Sequence, residues 1–291
     1  MSSFLRTCTL ALAVLAVTPC PIWAQAPAAT DPASSSAGAP AAQADEDADR
    51  DPNDAQPDFF VTTMPTTLRL PKHKWVFRMT HRFARPLGQG DASDLFENFL
   101  GFDNGAVMGF GLNYGLFGGT QLGFYRTSDR TIQFALQREV LNQKTSPVGV
   151  AVVANVDGTN NFRDSYSPGI EAVVSREIGD RAAVYAVPAF VNNSYLSPKE
   201  LVDDNNTILI GVGTRLRLRK NTYVTFEASP RVKGYAPGVT LINFALEQRS
   251  GGHLFQLNFS NGLGTTLAQV ARGGSSYDDW YIGFNLTRKF Y

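Results

Sequence analysis

The side chains able to do catalysis are few. Histidine occurs three times, as His73, His81 and His253. A histidine beside a serine and an Asn or Asp would suit acyl transfer on lipid, and strand parity puts His81 on an outward, lipid-directed face. No serine at short spacing and no strained nucleophile motif accompanies it, so a histidine at the membrane rim is the plainer reading. The glycines of "GFGLNYGLFGG" (Gly109, Gly111, Gly115, Gly118 and Gly119) lack the dinucleotide-binding spacing and open no helix. They read instead as relief of crowding on an inward face, followed by a turn. The acid pairs of "VDD" (202–204) and "YDDW" (277–280) read as solvated loops. No catalytic residue, metal site or cofactor is expected.

The informative chemistry is a file of cations. In "TILIGVGTRLRLRKN", residues 207–221, Ile208, Ile210, Val212, Leu216 and Leu218 share one parity, and Arg215, Arg217 and Arg219 take the other. A strand sends successive side chains to opposite faces, so one face here is greasy and the other is charged. Arg78, Arg82, Arg215, Arg217, Arg219 and Arg249, with Glu227 and Glu247, are the candidates to line a pore. Adding Arg231 and Lys289 against Glu139, Glu171 and Glu177 leaves eight cations facing five carboxylates. Such a wall would line a water-filled path that favours small anions. The alternative is a network of ion pairs that fills and braces the interior.

Twelve alternating segments are available to carry these residues, by the period-two criterion. They are 75–83, 105–114, 120–126, 131–140, 147–156, 169–178, 181–191, 207–219, 222–230, 240–249, 253–260 and 280–290. Only 181–191 is interrupted, by Pro188. Short connections such as "GD", "KN" and "SGG" alternate with long ones such as "NNSYLSPKELVDDNN", and only "TSDR", after the third segment, breaks the pattern. Alternate connections of an up-and-down sheet lie at opposite ends, so this sorting fits an outer-membrane barrel. Arg138, Arg176, Arg288 and His81 break the apolar faces only near strand ends, where a long side chain reaches the head groups. The expected fold is a closed antiparallel up-and-down transmembrane β-barrel of about twelve strands. "DASDLFENFLGF" and "TTLAQVA" could each make a short helix between strands.

The ends set the domain limits. Residues 1–24 carry Arg6, an apolar run from Leu10 to Val17 and small residues at the end, the pattern of a signal peptide. Cys8 and Cys20 both fall inside it. Residues 25–57, rich in Ala, Pro and Asp, contain no large apolar residue and read as a disordered linker. The barrel takes 58–291. Lysine plus arginine total 26, as do aspartate plus glutamate, so nothing points to nucleic acid.

"GTQLGFYRTSDRTIQFALQREVLNQ", preceded by "FENFLGFDNGAVMGFGLNYGL" and followed at the end by "FNLTRKF", resembles the family called domain of unknown function 5777. The resemblance implies a secreted β-barrel and supplies no activity. The terminal "WYIGFNLTRKFY" is similar to the signal read by the barrel-assembly machinery, with Phe290 continuing the outward parity. Expected partners are outer-membrane lipid, that machinery and, if the lumen is open, small solutes. Three readings remain at this point: a narrow, weakly anion-preferring diffusion channel, a plugged structural or surface-binding barrel, and a lipid-modifying enzyme. Which one holds turns on whether 86–104 or another segment fills the lumen.

Overall fold

Alternation decides the architecture. A computed structural model describes residues 54–97, 104–195, 205–234 and 238–291. The signal-peptide segment and most of the linker therefore lie outside the described residues. Among the described residues thirteen strands form one sheet, each pairing antiparallel with its neighbours. They are β1 (Trp75–Phe83), β2 (Ala106–Phe117), β3 (Thr120–Thr127), β4 (Ile132–Leu141), β5 (Gly149–Gly158), β6 (Tyr166–Ile178) and β7 (Ala182–Val191). After these come β8 (Thr207–Arg219), β9 (Thr222–Ser229), β10 (Arg231–Lys233), β11 (Leu241–Ser250), β12 (His253–Ser260) and β13 (Tyr281–Phe290).

Two pairings close the ring: β1 with β13, and β8 with β9. The barrel thus has twelve strands, and the three-residue β10 adds a short pairing on β8, Arg231 against Leu209. Closure gives each of the twelve ring strands a partner on both sides, as a bilayer demands of a sheet. Pro188 sits inside the ring because only one ladder gives way. The β6 pairing passes from Glu171↔Ala189 to Val174↔Ala186, while Pro188 keeps its register with Ile210 on β8.

The apolar parity faces outward. Phe110, Phe134, Leu136, Ile210, Phe244, Leu246 and Leu257 are all exposed large side chains on the wall. Aromatic pairs mark both rims. Trp75 and Tyr114 lie 4.3 Å apart at the short-turn end, and Phe162 and Tyr166 lie 5.0 Å apart at the long-loop end. The opposite parity is buried and polar, including Arg82, Arg215, Glu227, Glu247, Asn243 and Asn258. The first long connection is exposed over residues 88–91 and buried at Arg85.

Lipid contact on the outer wall has a direct consequence. Leu136 lies in the middle of β4 and is 44% exposed. Leu136→Arg in the barrel refolded into vesicles should lose about 2–4 kcal/mol in a denaturant titration. An unchanged midpoint would mean that this wall does not meet hydrocarbon.

Candidate functional site: a filled lumen

The last four residues of the supposed linker, with the segment that follows them, enter the barrel. Composition ends the linker at Pro57, yet Ala55 and Gln56 are buried, 1% and 2% exposed. The chain enters beside Arg217 and Arg249, turns at Thr62–Thr63 and returns through Leu70 to β1. Val61 N–H donates to the Met64 carbonyl and Thr66 N–H to the Phe59 carbonyl, both at 2.9 Å, which makes a tight hairpin. The short apolar runs on either side of "TT" in "DFFVTTMP" were the available signal. They are too brief and too irregular to register as strands.

One face of this hairpin is held by polar groups. The backbone N–H groups of Thr62, Thr63 and Met64 all donate to Oε2 of Glu227, at 3.0, 3.0 and 3.1 Å. Asn243 Nδ2 donates to the other carboxylate oxygen at 2.9 Å, and the Thr63 hydroxyl bonds to it as well. The hairpin carbonyls accept from the wall in turn. Arg215 Nη2 donates to Phe60 O at 2.7 Å, Gln256 Nε2 to Val61 O at 2.6 Å, and Arg78 Nη2 to Thr62 O. Arg215 also grips Glu247 through Nε and Nη2, at 2.8 and 3.0 Å, with both side chains fully buried. At the entrance Asp54 is 3.0 Å from Arg217 and 2.9 Å from Arg249.

The other face is apolar. Val61 and Met64 pack on Ala151, Val153, Val173, Ala183, Tyr185 and Val187 of β5, β6 and β7. A side chain at Gly211 or Gly213 of β8 would run into Met64, so these glycines leave the space it fills. The wall's charges are sorted to match. On the arc from β8 through β9, β11, β12 and β13 to β1, Arg78, Arg82, Arg215, Arg217, Arg249 and Lys289 face inward, with Glu227 and Glu247 among them. The arc from β2 to β7 carries inward Glu139, Asp157, Glu171 and Glu177, and no inward cation. Asp157 was missed as part of a loop, although it continues the parity of Val153 and Asn155.

Arg219 is a correction. It is exposed at the β8–β9 turn and away from the lumen, because the register shifts between Arg217 and Arg219 and breaks the alternation. Arg231, on β10, prolongs the β9 ladder along β8 in the same register, opposite the inward Leu209, and its Nη1 donates to the Arg272 carbonyl at 3.0 Å.

A second element enters from the long-loop end. The helix Leu267–Ala271, all five residues buried, packs on Ala189, Val191, Leu209 and Leu241. Gln269 Oε1 accepts from the N–H groups of Thr265 and Thr266, and Ala268 N–H donates to Asp157 Oδ2 at 3.0 Å. Between hairpin and helix lies a cavity of about 80 Å³, reached by Phe60, Met64, Tyr125, Glu171, Leu267 and Val270. His81 has no part in this. Its ring stacks on Phe284 at 4.8 Å and tilts against Phe83 at 4.3 Å on the outer wall. Among the described residues no cluster of His, Cys, Asp and Glu is arranged to hold a metal ion.

The family model for a membrane-bound β-barrel domain, DUF5777, matches residues 58–290, and the chain belongs to that family. Its place is accordingly a membrane. No curated protein matches. Among solved structures, the NanC porin is 7% identical with a TM-score of 0.50, over 75% of this chain and 99% of that one. Omp33 of Acinetobacter baumannii is 10% identical with a TM-score of 0.44, over 77% and 100%. The first likeness is one of fold.

Because Glu227 collects the hairpin's tip, Glu227→Ala should free it while the ring stays closed. Hydrogen exchange at the amides of Thr62, Thr63 and Met64 should quicken at least about tenfold, a magnitude set by bonds to a charged acceptor. Unchanged protection there would contradict the clamp.

Proposed function

We propose that this member of a membrane-barrel family is a narrow, weakly anion-preferring diffusion channel, held closed by its own N-terminal hairpin. The observation that carries the reading is the sorting of charge. Arg78, Arg82, Arg215, Arg217, Arg249 and Lys289 share with two carboxylates the arc that holds the hairpin, and Asp54 and Asp58 of the hairpin face that arc. Thr287 Oγ1 donates to Asp58 Oδ2 at 2.9 Å, and Lys289 Nζ donates to the Pro57 carbonyl at 2.6 Å. Nearly every bond on this face is one that water can replace, so withdrawal leaves a solvated, positive arc. Rings of fixed positive charge raise the local concentration of anions.

The second reading, a permanently filled barrel acting through its long loops, is favoured by one observation. The buried helix Leu267–Ala271 packs inside the barrel at the long-loop end. Outer-membrane lipid is the partner of the exposed wall in either case. The outward, 53% exposed Phe290 at the end of β13 supports recognition of that strand by the barrel-assembly machinery.

Planar-bilayer recordings separate the two readings. The full chain should conduct rarely, and removal of residues 54–71 should give steady single-channel currents with anion preference. Exchanging Arg78, Arg82 and Arg215 for glutamine in that background should move the reversal potential toward cations. A hairpin-deleted barrel that is folded, as shown by heat-modifiable migration, yet silent would support the filled-barrel reading and remove the channel.

A further inference from the structure

Arg82 is the penultimate residue of β1, on its inward face near the long-loop end, and it is fully buried. One of its nitrogens is engaged: Nη1 donates to Asn285 Oδ1 at 2.8 Å and to the His81 carbonyl at 3.1 Å. Nε and Nη2 are buried without a hydrogen-bond partner in the protein, and Arg82 makes no ion pair among the described residues. These two nitrogens form one edge of the guanidinium, with N–H bonds that run parallel. That edge fits the two oxygens of a carboxylate or a phosphate.

The same lumen shows the edge in use. Arg215 presents Nε and Nη2 to the two oxygens of Glu247 at 2.8 and 3.0 Å. Neither carboxylate of this arc serves Arg82, since Glu247 is taken by Arg215 and Glu227 by the hairpin. Burying a cation without a counter-charge is strongly unfavourable, and its unmet donors add to the penalty.

A third donor stands beside it. Asn258 of β12 is fully buried, and neither atom of its amide has a partner. Both residues sit against Gly283 of β13, Arg82 in direct register from one side and Asn258 from the other. A Cβ on Gly283 would lie 2.9 Å from Arg82 Cδ and 2.8 Å from Asn258 Oδ1. Glycine at this position lets the two side chains approach each other over its Cα. With no bond fixing it, the amide can turn its N–H groups toward a shared guest.

We propose that Arg82 and Asn258 form an oxyanion site that takes the carboxylate or phosphate group of a small solute at the long-loop end of the lumen. The site goes beyond the channel reading and does not need it, because a filled barrel would hold the same anion. The test is equilibrium titration of the refolded full chain in micelles with sodium acetate and, separately, inorganic phosphate, at constant ionic strength and chloride. Saturable binding of either probe is expected, and which of them binds assigns the chemistry to carboxylate or to phosphate. Arg82→Lys keeps the charge but loses the two-pronged edge, and should weaken binding about tenfold or more. Asn258→Leu should weaken it in the same direction. Should Arg82→Lys fail to refold, Asn258→Leu decides by the same criterion. No saturable binding, or binding unchanged in the variants that fold, overturns the proposal. Conductance is not read in this experiment, so a silent channel leaves the site standing.

Discussion

A cation on the inner wall of a closed barrel must find a counter-charge or water, and this constraint shapes the whole interior. Lipid outside fixes the parity: the aliphatic and aromatic side chains take the outer face, and the arginines are left pointing at the axis. Removing them from water without partners would be prohibitive. The structure answers in three ways. Glu247 pairs with Arg215, Asp54 with Arg217 and Arg249, and hairpin carbonyls accept from Arg78 and Arg215.

The hairpin suits this task because it is two-faced. Its carbonyls and N–H groups meet the charged arc, where Glu227 draws three successive N–H groups onto one oxygen. Val61 and Met64 meet the uncharged patch of β5, β6 and β7. Most of the attachment on the charged side is polar, while Phe59 and Leu70 pack with Val76 of β1 in a second apolar cluster. Polar attachment of this kind makes the placement of the hairpin specific.

Much of this was legible in the sequence, and the reason is periodicity. Each of the twelve ring strands overlaps an alternating segment, and β8 shows why, since a run from Ile208 to Leu218 tolerates no other period. The candidate site was legible only as a direction. Parity put Arg78, Arg82, Arg215, Arg217, Arg249, Glu227 and Glu247 on the inner face, where they lie. Arg219 escaped because parity cannot foresee the bulge beside it. The hairpin stayed hidden for a different reason. Its order comes from distant partners such as Glu227, 165 residues away from Thr62, and no local pattern records that dependence. The helix at Leu267 was visible as a helix, but its descent into the lumen rests on Asp157, more than a hundred residues earlier.

Whether the hairpin occupies the lumen can be tested with one covalent bond. A Cβ on Gly149 of β5 would lie 3.4 Å from the Cβ of Thr67 on the hairpin's returning limb. That separation is close to the range for a disulfide. With Cys8 and Cys20 changed to serine, the pair Thr67→Cys and Gly149→Cys in the membrane-inserted barrel should oxidise to near completion. It would then migrate as a cross-linked, reducible species on a denaturing gel. Two free thiols in a folded barrel, both open to a water-soluble maleimide, would show the hairpin outside and contradict the account.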